Sequence, residues 1–136
     1  MKVAELMQRD VKTVDPGVTV RDLLVSLADE HVSAFPVVDR QGRMLGVVSN
    51  TDVIAAEAEA DEEQQPGLLQ STAVADIMTP RMFTIEPDAD VRDAAQQMLY
   101  AEVHRLFVAR GDQLVGVISA SDIVRAVAQG QVQLSP

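Results

Sequence analysis

Cysteine and tryptophan are absent from this 136-residue sequence. Without cysteine there is no disulfide, no thiolate nucleophile and no cysteine-built zinc site. The two histidines, His31 and His104, stand far apart, so no metal site is expected. Aromatic residues make up only 3% of a chain that is 47% hydrophobic, so the core should be aliphatic, built from Val, Leu, Ile, Ala and Met. Basic residues are also scarce, 11 Lys and Arg against 21 Asp and Glu, for a net charge of −10. That balance argues against DNA, RNA or an anionic membrane as partner, since each needs clustered cations. It leaves room for a small phosphorylated ligand, which one Arg or one helix N-terminus can hold. No apolar run approaches the roughly 20 residues of a membrane span. The N-terminal MKVAELMQRDVKTVD lacks the apolar stretch of a signal peptide, so a soluble cytoplasmic protein is expected. No glycine-rich phosphate loop, Ser-His-Asp frame or catalytic carboxylate pair is present, so no catalytic residues, and no enzyme, are expected.

What the chain does contain, it contains twice. GVVSNTDV at 46–53 returns as GVISASDI at 116–123. Val3, Ala4, Met7, Thr13, Pro16, Val20, Arg21, Asp22, Val32 and Val37 recur 71 places on, as Val74, Ala75, Met78, Thr84, Pro87, Val91, Arg92, Asp93, Val103 and Val108. Gly46, Val47, Ser49 and Asp52 recur 70 places on, as Gly116, Val117, Ser119 and Asp122, so one residue is deleted between Val108 and Gly116. A half of about 60 residues is near the lower limit for folding alone. The expected organisation is one module of two similar halves: repeat 1 at 1–60, an acidic linker at 61–73, repeat 2 at 74–130 and a tail at 131–136. Related clefts between the halves are where a ligand is expected.

Local patterns order each half as strand, helix, hairpin and helix. Val11–Val14 reads as a strand closed by the Asp15-Pro16-Gly17 turn. Apolar positions 20, 23, 24, 27 and 28 predict a helix from Thr19 to Glu30, with Thr19 and Asp22 as a capping box. Residues 35–38 and 44–49 read as strands around a turn at 39–43, followed by a helix from Thr51 to about Ala60. In the second half the matching elements are a strand at 82–85, a helix at 90–101, strands at 106–109 and 113–119, and a helix at 121–128. Between the halves, Glu57–Thr72 with its acid run reads as a helix extension that Pro66-Gly67 ends, leaving a solvated polar connector.

The ordered set VAELM, KTVDP, FPVVD and GVVSNTD, repeated as VADIM, FTIEP, LFVAR and GVISASD, resembles cystathionine-β-synthase (CBS) domains. A tandem pair of these is called a Bateman module. The resemblance covers residues 3–58 and 74–128. It implies an α+β (α/β-like) fold of two βαββα repeats packed by pseudo-two-fold symmetry along their sheets. It further implies a stand-alone CBS-domain protein, regulatory and not catalytic. No cofactor is required; the implied ligand is an adenine nucleotide (AMP, ADP or ATP), with S-adenosylmethionine or NAD as further adenosine compounds.

Carried onto this sequence, the resemblance places Ser49 and Ser119, with Thr51 and Ser121 in the following turn, near phosphate, and Asp52 and Asp122 on the ribose hydroxyls. A hydroxyl and free N–H groups at a helix start suit phosphate, and an ionised carboxylate suits a diol. By local sequence alone, Ser-x-x-Asp is also a capping box needing no ligand. The resemblance puts adenine against Thr13-Val14 and Thr84-Ile85, which also read as β-branched pairs before a Pro turn. His104-Arg105 matches a pair that contacts phosphate in related modules, where repeat 1 has Ser33-Ala34 instead. The plainer reading pairs Arg105 with an acid such as Glu102. The copies differ here and at Phe107, which stands opposite Pro36, so the two clefts should be unequal. Gly46 and Gly116 read as close-packing positions. A homodimer and an unidentified regulated protein are the expected partners. A ligand-free dimerisation scaffold is the alternative function.

Overall fold

The computed structural model describes residues 1–80 and 84–133. The chain divides into two compact units that do not coincide with the two sequence repeats. A central unit spans Lys12–Met82, and a terminal unit combines Met1–Val11 with Phe83–Pro136.

In the central unit, α2 (Val20–Glu30) starts at Thr19, whose hydroxyl accepts from the Asp22 N–H. The cap is one-way, not the reciprocal box expected. Val20, Leu23 and Leu27 form its buried stripe, the spacing that an amphipathic helix requires. β1 (Ala34–Val38) and β2 (Met44–Ser49) pair antiparallel, with Ala34 opposite Ser49. α3 (Asn50–Glu59) follows directly. The strand expected at 11–14 reduces to a single parallel bridge from Val14 to Val37. Pro36 on β1 explains the short run, since it has no N–H to donate to the Lys12 carbonyl. The segment expected as a polar connector contains a 3-10 turn at Gln65–Gly67 and a one-turn helix, α4 (Leu68–Ser71), which packs on α2. α5 (Val74–Ile77) completes the unit. Its core joins Val14, Val20, Leu23, Leu27, Phe35, Val37, Val48, Val53 and Val74.

The terminal unit repeats this plan. α1 (Val3–Leu6) takes the place of α5. β3 (Thr84–Ile85) runs parallel to β4 (Arg105–Arg110), which pairs antiparallel with β5 (Gln113–Ser119). Met82, expected at the start of β3, lies outside the described residues, as do residues 134–136 of the tail. α6 (Val91–Ala101) and α7 (Ala120–Ala128) bury Val91, Ala94, Met98, Ile123 and Ala126. The core gathers Val3, Ile85, Leu106, Val108 and Ile118 with these helices. As the composition predicts, both cores are mainly aliphatic, with Phe35 and Phe107 as buried aromatics among the described residues.

Each unit is closed by the opening segment of the other repeat, through the same bonds. In the terminal unit, Val3 N–H donates to Ala89 O (2.8 Å), Ala4 N–H to Pro87 O (2.9 Å) and Val91 N–H to Met1 O (2.9 Å). In the central unit, Val74 N–H donates to Val18 O (2.8 Å), Ala75 N–H to Pro16 O (3.0 Å) and Val20 N–H to Thr72 O (2.9 Å). The segments then cross the last strand, Gln8 bridging Val117 and Thr79 bridging Val47. Glycine is required beside each crossing. A Cβ on Gly46 would lie 2.5 Å from the Thr79 carbonyl oxygen, and one on Gly116 2.8 Å from that of Gln8. Among the described residues, no helix is long and apolar enough to cross a membrane.

Candidate functional site

The repeated Ser-x-x-Asp stands in each unit where the last strand becomes a helix. In the central unit the Ser49 hydroxyl caps α3 and the Asp52 carboxylate returns the bond. Asp52 Oδ2 accepts from the Ser49 N–H at 2.8 Å and from the Ser49 hydroxyl at 3.1 Å. In the terminal unit Ser119 and Asp122 form the same box on α7, with Ser119 N–H donating to Asp122 Oδ2 at 2.9 Å. The capping role that local sequence allowed is therefore present at both sites. It engages Oδ2 and leaves Oδ1 to other partners.

Those partners come from the crossing segments. The Thr79 hydroxyl donates to Asp52 Oδ1 at 3.0 Å, and Gln8 Nε2 to Asp122 Oδ1 at 3.5 Å. Thr79 and Gln8 occupy equivalent places, one residue after Met78 and Met7. Asp122 has a second neighbour, the Arg125 guanidinium at 3.5 Å, and it is the buried polar residue of the described chain, only 8% exposed. Asp52 is half-buried. The repeat pattern marks none of these three partners. Thr79 and Gln8 differ between the copies, so identity did not mark them. Arg125 has Ala55 as its counterpart, and only the i,i+3 spacing from Asp122 could have drawn notice.

Ser33, Ala34, His104, Arg105, Thr51 and Ser121 fall around the same corner of each unit, while Thr13-Val14 and Thr84-Ile85 lie across the hairpin from it. Ala34 pairs with Ser49, and the Ser33 carbonyl accepts from Asn50 N–H at 3.0 Å. Arg105 pairs with Ser119, and the His104 carbonyl accepts from Ala120 N–H at 2.8 Å. Ser33, His104 and Arg105 are exposed, as are Thr51 and Ser121 in the first helical turns. Arg105 is not within ion-pair distance of Glu102; the described ion pairs of the terminal unit join Arg110 to Asp88, Arg125 to Asp122 and the N-terminus to Asp90. Thr84 and Ile85 lie on β3 beside Phe107 and Val108, across β4 from the strand that ends at Ser119. Two strand spacings, about 10 Å, therefore separate the β3 and β5 edges. Val14 occupies the equivalent place beside Val37, but its N–H and C=O are bonded to Pro36 O and Val38 N–H, so they are already engaged. Thr13 next to it is exposed. Among the described residues, no three His, Cys, Asp or Glu side chains gather as a metal set.

The CBS domain family model matches residues 3–59 and 74–129. The chloroplastic CBS domain-containing protein CBSX1 of Arabidopsis thaliana is 30% identical across 93% of this chain, which spans 64% of that protein's length. Among solved structures, CBSX2 of Arabidopsis in complex with AMP superposes with a TM-score of 0.79 at 28% identity, covering 96% of this chain and 98% of that one. A putative acetoin utilization protein (AcuB) from Vibrio cholerae gives 0.81 at 25% identity, covering 98% of each.

Proposed function

The chain belongs to the CBS domain family as a pair of CBS repeats, and we propose that it is a regulatory module that binds an adenosine-containing nucleotide (AMP, ADP or ATP). The single observation that carries the reading is the twofold construction of one polar corner. In each unit a helix start with a hydroxyl and a carboxylate bonded back to the strand end are assembled from the same positions, with a Thr on the far side of the hairpin, Thr84 on β3 and Thr13 next to the Val14 bridge. The similarity to a protein solved with AMP supports the ligand class.

The chemistry is of binding and not of bond-breaking. Adenine would lie against Thr84-Ile85 or Thr13-Val14, where aliphatic walls pack on the ring. The ribose diol would donate to the Asp122 or Asp52 carboxylate, which is acceptor-only when ionised. The Ser119 or Ser49 hydroxyl, with Ser121 or Thr51 and the first N–H groups of the helix, would face phosphate. Regulation then follows if the ligand binds one arrangement of the protein more tightly than another.

Calorimetric titration of Asp52→Ala and Asp122→Ala with AMP and ATP tests this. Each variant should stay folded, lose affinity at its own site by tenfold or more, and lose only about 1 kcal/mol of stability with the cap. A folded wild type that takes up no adenosine compound at millimolar concentration would sink the reading.

A second reading, pairing with another copy, is favoured by one surface. An apolar groove of about 520 Å³ between α6 and α7 is lined by Ala95, Met98, Leu99, Val103, Ile123 and Val124. Leu99 and Val124, which line it, are 80% and 67% exposed, and exposed apolar patches mark interaction surfaces. A monomer by light scattering at micromolar concentration ends that reading.

A further inference from the structure

The two corners share a backbone and differ in charge. Next to Ser119-x-x-Asp122 stand two arginines, Arg105 opposite Ser119 in the β4–β5 pair and Arg125 one helical turn beyond Asp122. In the central unit both places are alanine, Ala34 opposite Ser49 and Ala55 one turn beyond Asp52. The wider charge has the same sign of difference. Lys12–Met82 carries seven more acids than bases, whereas the residues of the terminal unit carry three more.

Arg125 is the informative member of the pair. Its guanidinium is 3.5 Å from the carboxylate proposed for the ribose, yet its side chain is 61% exposed. The Asp122 carboxylate already accepts one capping bond, from the Ser119 N–H, and a further bond from Gln8 Nε2, so it does not depend on a mostly solvated Arg. With its Arg mostly in water, a pair of this kind is screened and adds modestly to stability. What the Arg does supply is a planar, permanently charged donor fork beside the sugar, the group that holds phosphate oxygens two at a time.

The geometry points to Arg125 as a specificity-determining residue. With Arg105 it makes the terminal-unit site select adenosine compounds that bear phosphate, preferably more than one, while the alanine-bordered central site accepts adenosine compounds of little or no negative charge. This rests on the nucleotide-binding reading above and goes beyond it by assigning ligand charge to each site.

The experiment is calorimetric titration with adenosine, AMP and ATP in the Asp52→Ala background, which leaves the terminal site to report. Affinity should rise from adenosine to ATP and fall with added salt. Arg125→Gln should lower ATP affinity by about tenfold, the share of one charge-assisted contact, and adenosine affinity by less than about twofold. In the Asp122→Asn background, Ala55→Arg should raise the central site's ATP affinity relative to adenosine by a similar factor. Ala55 is exposed, so the longer side chain has room.

Equal losses for adenosine and ATP on Arg125→Gln would mean that the Arg only steadies Asp122, and would overturn the proposal. So would an unchanged ratio, while the nucleotide-binding reading would survive. No uptake of any adenosine compound by the wild type would remove both.

Discussion

At the scale of single residues, two positions adopt a backbone that their side chains oppose. His31 ends α2 at φ 54° and Glu102 ends α6 at φ 57°, both left-handed, and they are the same place in the two repeats. A left-handed L-residue costs about 1–2 kcal/mol, and glycine removes the cost while adding some freedom to the unfolded chain. His31→Gly and Glu102→Gly should each raise stability by about 0.5–1 kcal/mol in urea unfolding. An unchanged or lower midpoint would show that these side chains make compensating contacts. Capping was legible at this scale. Ser49, Ser119 and Thr19 accept from the N–H three residues on, as Ser-x-x-Asp and Thr-x-x-Asp predicted. The partners of Asp52 Oδ1 and Asp122 Oδ1 were not legible, because they arrive from 27 and 114 residues away.

At the scale of elements, the hairpins show how one deletion is absorbed. β4 and β5 are joined by two residues, with Gly111 at φ 61° taking the turn. β1 and β2 are joined by five, and Asp39 organises them. Its carboxylate accepts from Gln41 N–H and Arg43 N–H at 2.9 Å and from the Arg43 guanidinium at 2.8 Å. Partial burial pushes the Asp39 carboxyl up, but the bonds from Arg43 and Gln41 outweigh it and hold its pKa below the ordinary value. A depressed carboxyl stabilises the fold above its unfolded pKa of about 3.9, and that contribution is lost as pH falls through the folded value. The wild type should therefore lose this increment on acidification below about pH 4, and Asp39→Asn should lack it. Parallel stability curves for the two proteins between pH 6 and 3 would refute the assignment. Helices α2 and α6 could be read from sequence because their 3–4 spacing is a local pattern. The strand at 11–14 could not, because its pairing depends on where β1 lies and on Pro36 within it.

At the scale of the whole molecule, the repeat in the sequence is not the unit that folds. Val74 is fully buried in the central core and Val3 in the terminal one, each supplied from across the repeat boundary. A fragment of residues 1–72 keeps all of repeat 1 but omits Val74, α5 and the Thr79 crossing. A fragment of residues 12–82 contains the whole central core. The second should unfold cooperatively in urea. The first should be unfolded or markedly weaker, since one buried Val and its segment contribute at least about 2 kcal/mol. Equal stability would show that the crossing segment is dispensable.

The sequence by itself determined that the chain is duplicated, that its core is aliphatic, and in what order its helices and hairpins come. Those properties lie in composition and in spacings of a few residues, which act locally. Tertiary structure alone decided which opening segment completes which core, and that Thr79 and Gln8 meet the free oxygens of Asp52 and Asp122. Such contacts depend on chain crossings that no local pattern encodes, and at Gly46 and Gly116 the passing backbone leaves room for nothing larger than hydrogen.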